Sequence, residues 1–253
     1  MELYALNEEV AALEAMLAGS EGTARLDLLV ALAWQLRERD VMRAEFLAEQ
    51  AEAELHHSTR LVNHHEYDSH HDDHLTYHHP HQARLLLVHG VMHTLRSHLD
   101  AAQQEIESAI KLFEQISDSR ASLSGCGDGY CCLASVWQDR GDARQRDHCL
   151  QLAIDDYRAA GDTERQEFAL ARSLHYAAFR DVTGTAARLA QCFDPDGQTS
   201  RAASAWLESA RAVMAVLSGD AGSAIRDFMR AYHAAWETGQ IRQAIGAASN
   251  ASD

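Results

Sequence analysis

One arrangement of residues recurs along this chain and leaves few folds open to it. After a polar turn at Arg39-Asp40, small residues stand at Ala44, Ala48 and Ala51, spaced by four and three. The same spacing joins Ala102, Ile106 and Ala109, with Gly90 twelve residues upstream. The Gly141-Asp142 turn is followed by Arg146, Leu150 and Ala153, and Gly219-Asp220 by Ala224, Phe228 and Ala231. A weaker copy centres on Ala186. Residues four and three apart share one helix face. Small residues there let two antiparallel helices cross closely, and a glycine in the first helix, such as Gly90, lets the second approach further. A single hairpin cannot bury its apolar face alone, so successive pairs must stack into one continuous core. Only two prolines occur in 253 residues, as an all-α chain requires, because proline breaks helix interiors.

Start and stop signals agree. Asp142 with Gln145 and Thr163 with Gln166 read as capping boxes. Pro80 suits a first helical turn, and DPDG at 194–197 suits a turn between helices. The expectation is a single domain over 1–253: about five helical hairpins, preceded by a capping helix over residues 2–18.

The small–large–small signature, the Gly-Asp turns and Gly90 resemble the tetratricopeptide repeat over roughly residues 24–250, implying a superhelix with a concave ligand groove. Arg146 departs from the pattern. The anchors at 44, 102, 146, 186 and 224 are 58, 44, 40 and 38 apart, longer than the usual ~34. Loops such as RAAGDTERQ and a histidine-rich insertion at 56–82 are expected to hold the excess. The opening EGTARLDLLVALAWQLRERD and the ending from Ser218 also resemble, more softly, the amino-terminal sensor regions of bacterial GGDEF-type diguanylate cyclases. That likeness implies a signalling input whose catalytic output lies beyond residue 253, and so the amino-terminal part of a longer protein.

The formal charge of −16 repels phosphate backbones and anionic lipid, which argues against nucleic-acid and membrane partners. The start lacks the basic-then-apolar order of a signal peptide, and no run of about 18 apolar residues occurs. Five cysteines without framework spacing suit a reducing cytoplasm. The glycines of SGCGDGYCC (124–132) lack the Lys-Ser/Thr of a phosphate loop, and are expected to open a first helix with Tyr130 and Leu133 facing the core. Cys149 and His148, being adjacent, point about 100° apart on a helix and form no nucleophile–base pair. No catalytic constellation is visible, so no enzyme is expected in this chain.

The stretch HHEYDSHHDDHLTYHHPH, His64 to His81, is the other unusual feature. Imidazoles with carboxylates nearby can bind zinc, nickel or copper. If 70–78 is helical, His70, His74 and His78 fall on one face. His89 and His93 lie i, i+4 on a confident helix, beside a core stripe where histidines are commonly packed instead. The groove itself is expected to offer Gln138, His175, Phe179 and Trp206. These readings leave open an input module binding a peptide, partner domain or small ligand, a metal sensor or buffer, and a stand-alone scaffold, with homodimerisation open in each.

Overall fold

The computed structural model describes the backbone of residues 2–64, 71–193 and 199–252, and the side chains of these except at 58–64 and 71–77. Twelve helices and no strand occur among the described residues. They are α1 (Asn7–Leu17), α2 (Gly22–Leu36), α3 (Val41–His64), α4 (His71–Leu95), α5 (Leu99–Phe113) and α6 (Ser119–Asp139), followed by α7 (Ala143–Ala160), α8 (Thr163–Ala178), α9 (Val182–Cys192), α10 (Arg201–Leu217), α11 (Ala221–Thr238) and α12 (Ile241–Ser252). They pack as consecutive pairs, α2–α3, α4–α5, α6–α7, α8–α9 and α10–α11, with α1 against α2 and α12 against α11. This all-helical array of stacked hairpins is compatible with a helical repeat. No described helix is long and apolar enough to cross a membrane.

The repeated small residues sit at the crossings. Ala44, Ala48, Ala51, Ala102, Ile106, Ala109, Leu150, Ala153 and Ala231 are fully enclosed, and Ala224 and Phe228 nearly so. A Cβ on Gly90 would come within 2.5 Å of Ile106, so glycine there lets α4 lie on α5. Arg146 at the deviant anchor is also buried: its guanidinium lies 4.0 Å from the Tyr176 ring centre and donates to Gln138 and Asp147. In α9 the register is one residue off the expected one. Thr185 faces inward and Ala186 is exposed. Asp181 starts this helix by accepting from Gly184 N, and one residue of offset turns a side chain by about 100°.

The turns share one chemistry. Gly141, Gly161 and Gly219 adopt φ of +76°, +67° and +79°, which only glycine reaches without strain. Asp142, Asp162 and Asp220 follow, and their carboxylates accept from the backbone N–H of Gln145, Arg165 and Ser223. The cap of α8 is therefore Asp162, not Thr163, and RAAGDTERQ holds a two-residue turn, not a long loop. The excess length lies in the helices: α3, α4 and α6 have 24, 25 and 21 residues. Residues 56–64 and 71–82 continue α3 and α4, so Pro80 stands inside α4 rather than in its first turn. The DPDG segment lies outside the described residues.

Helix α6 begins at Ser119, which puts the glycine run inside the helix. Gly125 sits beneath the Phe113 ring, Gly129 beneath Ile110 and Gly127 beneath Tyr157. Residues 125 and 129 share the face turned to α5, while 127 faces α7. Leu133 is buried and Tyr130 packs half-buried against the core.

The array curls until its ends touch. Arg39, between α2 and α3, donates to Ala5 O at 2.7 Å and to Glu237 O at 3.3 Å. Its guanidinium fills the space beside Gly239, in the turn before α12. Arg242 of α12 pairs with Asp139 of α6 at 2.7 Å.

Candidate functional site

The even-numbered helices and their capping residues enclose a central space. Trp34 and Arg37 come from α2 and its end, Val91 and Thr94 from α4, and Cys131 and Ser135 from α6. Phe168 and Arg172 come from α8, Trp206 from α10, and Arg242 and Gln243 from α12. Successive first helices of a hairpin stack present the same face, so this is the inner surface of the curve.

Residues 2–6 occupy one side of it. They were expected within a capping helix over 2–18, but α1 starts at Asn7 and the preceding residues run non-helically across the C-terminal end of α2. Trp34 Nε1 and Gln35 Nε2 donate to Glu2 O at 3.2 and 2.8 Å. Arg37 donates to Leu3 O at 3.2 Å, and Arg39 to Ala5 O. Leu3 and Ala5 are buried. Tyr4 lies under the Arg37 guanidinium (4.4 Å), meets the Phe168 ring at 5.7 Å and donates its hydroxyl to Glu38 at 2.9 Å. Burial, reinforced by Glu38, pushes the Tyr4 phenol well above its ordinary range, so it stays a donor. Leu6 N–H then donates to Glu9 at 2.6 Å, turning the chain into α1.

Beside this segment a cavity of about 180 Å³ remains open, lined by Ser135, Gln138, Tyr176, Trp206, Gln240 and Gln243 among others. Arg172 forms part of its wall. It donates to Cys131 O at 2.9 Å and Ser135 Oγ at 2.8 Å, its buried Nε lacks an acceptor, and among the described residues no carboxylate pairs with it. Among the described residues Arg37 likewise has aromatic and carbonyl partners only, with Trp34 3.6 Å from its guanidinium. In a chain carrying −16, two guanidiniums on the inner surface thus have no carboxylate partner among the described residues. Burying such groups is costly without a counter-charge or π-faces.

Gln138 and Trp206 line the cavity, and the Trp206 indole donates to Gln240 at 2.9 Å. His175 sits behind this wall, 8 % exposed, edge-on to Tyr176, Phe179 and Trp206 at 5.1, 5.5 and 5.3 Å. Phe179 does not line the cavity. As the residue ending α8 it lies a turn beyond, 58 % exposed. Arg37, Arg172 and residues 2–6 escaped sequence reasoning. The available signal was an arginine, Arg172, on the same helix as the apolar Phe168, Ala169, Ala171 and Leu174.

Burial, with Arg172 adding to it, lowers the His175 pKa to about 4. An imidazole with a lowered folded pKa is neutral in the native state while the unfolded chain takes up a proton. Stability is therefore full above the ordinary histidine value of ~6.5 and falls as pH drops from there towards 4. Urea denaturation at pH 7 and pH 5 should show about 2 kcal/mol less stability at the lower pH from this site, a component absent in His175→Phe.

Of the expected metal ligands, His70 lies outside the described residues, and His74 is described in backbone only. His78 lines a cleft of about 330 Å³ between α3 and α4 with Glu52 and His56. His89 Nε2 meets Glu52 at 2.8 Å, and this hydrogen bond raises its pKa. His93 is half-buried, its Nδ1 enclosed without a partner and its ring 5.9 Å from that of His98. Among the described residues no three histidine, cysteine or acidic side chains are grouped to hold a metal ion.

The buried Cys126, Cys131 and Cys149 and the half-buried Cys132 behave as core residues: burial pushes the Cys126 and Cys132 thiols up to about 12 and Cys131 and Cys149 to about 11. Comparisons with family models, curated proteins and solved structures returned no match to this chain.

Proposed function

We propose that this chain is a regulatory interaction module whose inner face holds an extended polypeptide. The observation carrying this reading is how Glu2, Leu3 and Ala5 are held, by side-chain donors reaching their backbone carbonyls. Side chains that grip main-chain groups recognise extended backbone in general, and flanking pockets add side-chain preference. The open cavity supplies those pockets: apolar and aromatic at Trp206 and Tyr176, cationic at Arg172, polar at Gln138 and Gln243. The resemblance to tetratricopeptide repeats supports a peptide-binding surface of this kind. The softer resemblance to cyclase sensor regions supports a signalling context, with occupancy passed to an output domain or partner protein.

Selection of displayed random peptides against the full chain tests this. Selected peptides should bind in solution and perturb Trp206 fluorescence. Gln138→Trp, at an exposed position facing the cavity, should weaken them at least tenfold with unchanged helical circular dichroism. Binding that ignores this blockade, or an absence of any selected sequence, would refute the reading.

A further inference from the structure

Residues 2–6 are bound as a ligand would be bound, yet they belong to the chain. The carbonyls of Glu2, Leu3 and Ala5 are satisfied by Trp34, Gln35, Arg37 and Arg39, all on or just after α2, whereas that of Leu6 already accepts from Val10 N of α1 at 3.0 Å. Their side chains alternate in use: Leu3 and Ala5 are buried, while Tyr4 is gripped by Arg37, Phe168 and Glu38. The segment abuts the open cavity, whose wall includes Tyr4 and Glu38 themselves. Displacing it would merge the two spaces and expose the Arg37 guanidinium and the Trp34 indole.

We propose that Glu2–Leu6 is a tethered occupant of the inner face. The partner is an extended segment of another protein with the same pattern: a large apolar residue, an aromatic hydroxyl and a small residue in succession. That segment binds by displacing the chain's own. This rests on the interaction-module reading and specifies its ligand. The tether also sets the threshold. A short linker holds its ligand at an effective concentration of about 1 mM, so even a weak epitope with an intrinsic Kd of ~10 µM stays bound about 99 % of the time. A competitor of equal intrinsic affinity is then handicapped by about a hundredfold.

The probe is the fluorescein-labelled peptide ELYALNEE, identical to residues 2–9, with anisotropy read against the full chain and against full-length Leu3→Asp/Tyr4→Ala. The double variant alters only the segment and should keep the helical circular dichroism. It should bind the probe at least tenfold more tightly than the unmodified chain, and a probe with Leu and Tyr replaced by Asp and Ala should bind neither. Equal affinity for both chains, or no binding to a folded variant, overturns the proposal. Should the variant unfold, amide exchange in the unmodified chain decides. Added peptide must speed exchange at residues 3–6 and leave the helices unchanged, and unaltered exchange overturns the proposal. Were randomly selected peptides to bind while ELYALNEE did not, this inference alone would fail. If no peptide bound either chain, the module reading would fail with it.

Discussion

Asp128→Ala is expected to remove about 3–5 kcal/mol of stability, the usual penalty for breaking a buried ion pair from one side. Asp128 is fully enclosed on α6. One oxygen accepts from Arg84 of α4 at 2.6 Å, and the other from Tyr157 of α7 at 2.8 Å and Arg165 of α8 at 3.1 Å. A single carboxylate therefore ties four helices from three hairpins. Among the described residues, removing it leaves Arg84 with the Trp34 and Phe113 rings, at 4.4 and 5.4 Å, and Tyr157 with the weak acceptor Cys131. Arg165 keeps Asp162. Urea midpoints at pH 7 measure the loss. Acid gives a second readout. Burial alone would raise the Asp128 pKa, but Arg165 and Arg84 outweigh it and hold the carboxyl below its usual range. Its stabilisation is accordingly full above the ordinary carboxylate value and lost as pH falls through the lower folded value. Asp128→Ala should lack that part of the acid limb.

The hairpin order was legible because it rests on local rules. Gly-Asp turns fix where helices stop and start, and small residues at four and three fix which face is crossed, so Ala44, Ala102 and Ala224 fell where their spacing put them. Asp128 was not legible: an acid between Gly127 and Gly129 carries no local sign of burial, and its role follows only from three partners, 29 to 44 residues distant, that converge on it. The inner face was partly legible. Gln138 and Trp206 follow from register alone, but register says nothing of where a helix ends relative to a cavity, which is why Phe179 falls outside it. Residues 2–6 were hidden for a related reason. They read as the first turn of an amphipathic capping helix, and their binding depends on Arg37 and Arg39 being brought over them by the α2–α3 turn. The histidine stretch shows composition at its least informative, since ligand density alone does not specify a geometry.

Gly125→Leu should cost about 3 kcal/mol, against a background in which glycine ought to be the wrong residue for a helix interior. Replacing a mid-helix glycine by a residue of good helix propensity gains about 1 kcal/mol where space allows. Gly246 in α12 is such a place, because a Cβ there would meet nothing within 4 Å. Gly246→Ala should therefore raise stability by about 0.5–1 kcal/mol. At Gly125 a Cβ would enter the Phe113 ring, itself 3 % exposed and held between α5 and α6. Forcing extra volume into such a site typically costs 1–3 kcal/mol, and a leucine adds three more carbons than the Cβ alone. The propensity gain cannot offset that unless α5 moves away. Urea denaturation of both variants, with equal slopes, separates the two effects. Opposite signs would show that the glycines of α6 are there to bring α5 against it. A neutral Gly125→Leu would mean that the α5–α6 contact yields easily, and Asp128, one turn further along the same helix, would then lose the rigid frame its three partners require.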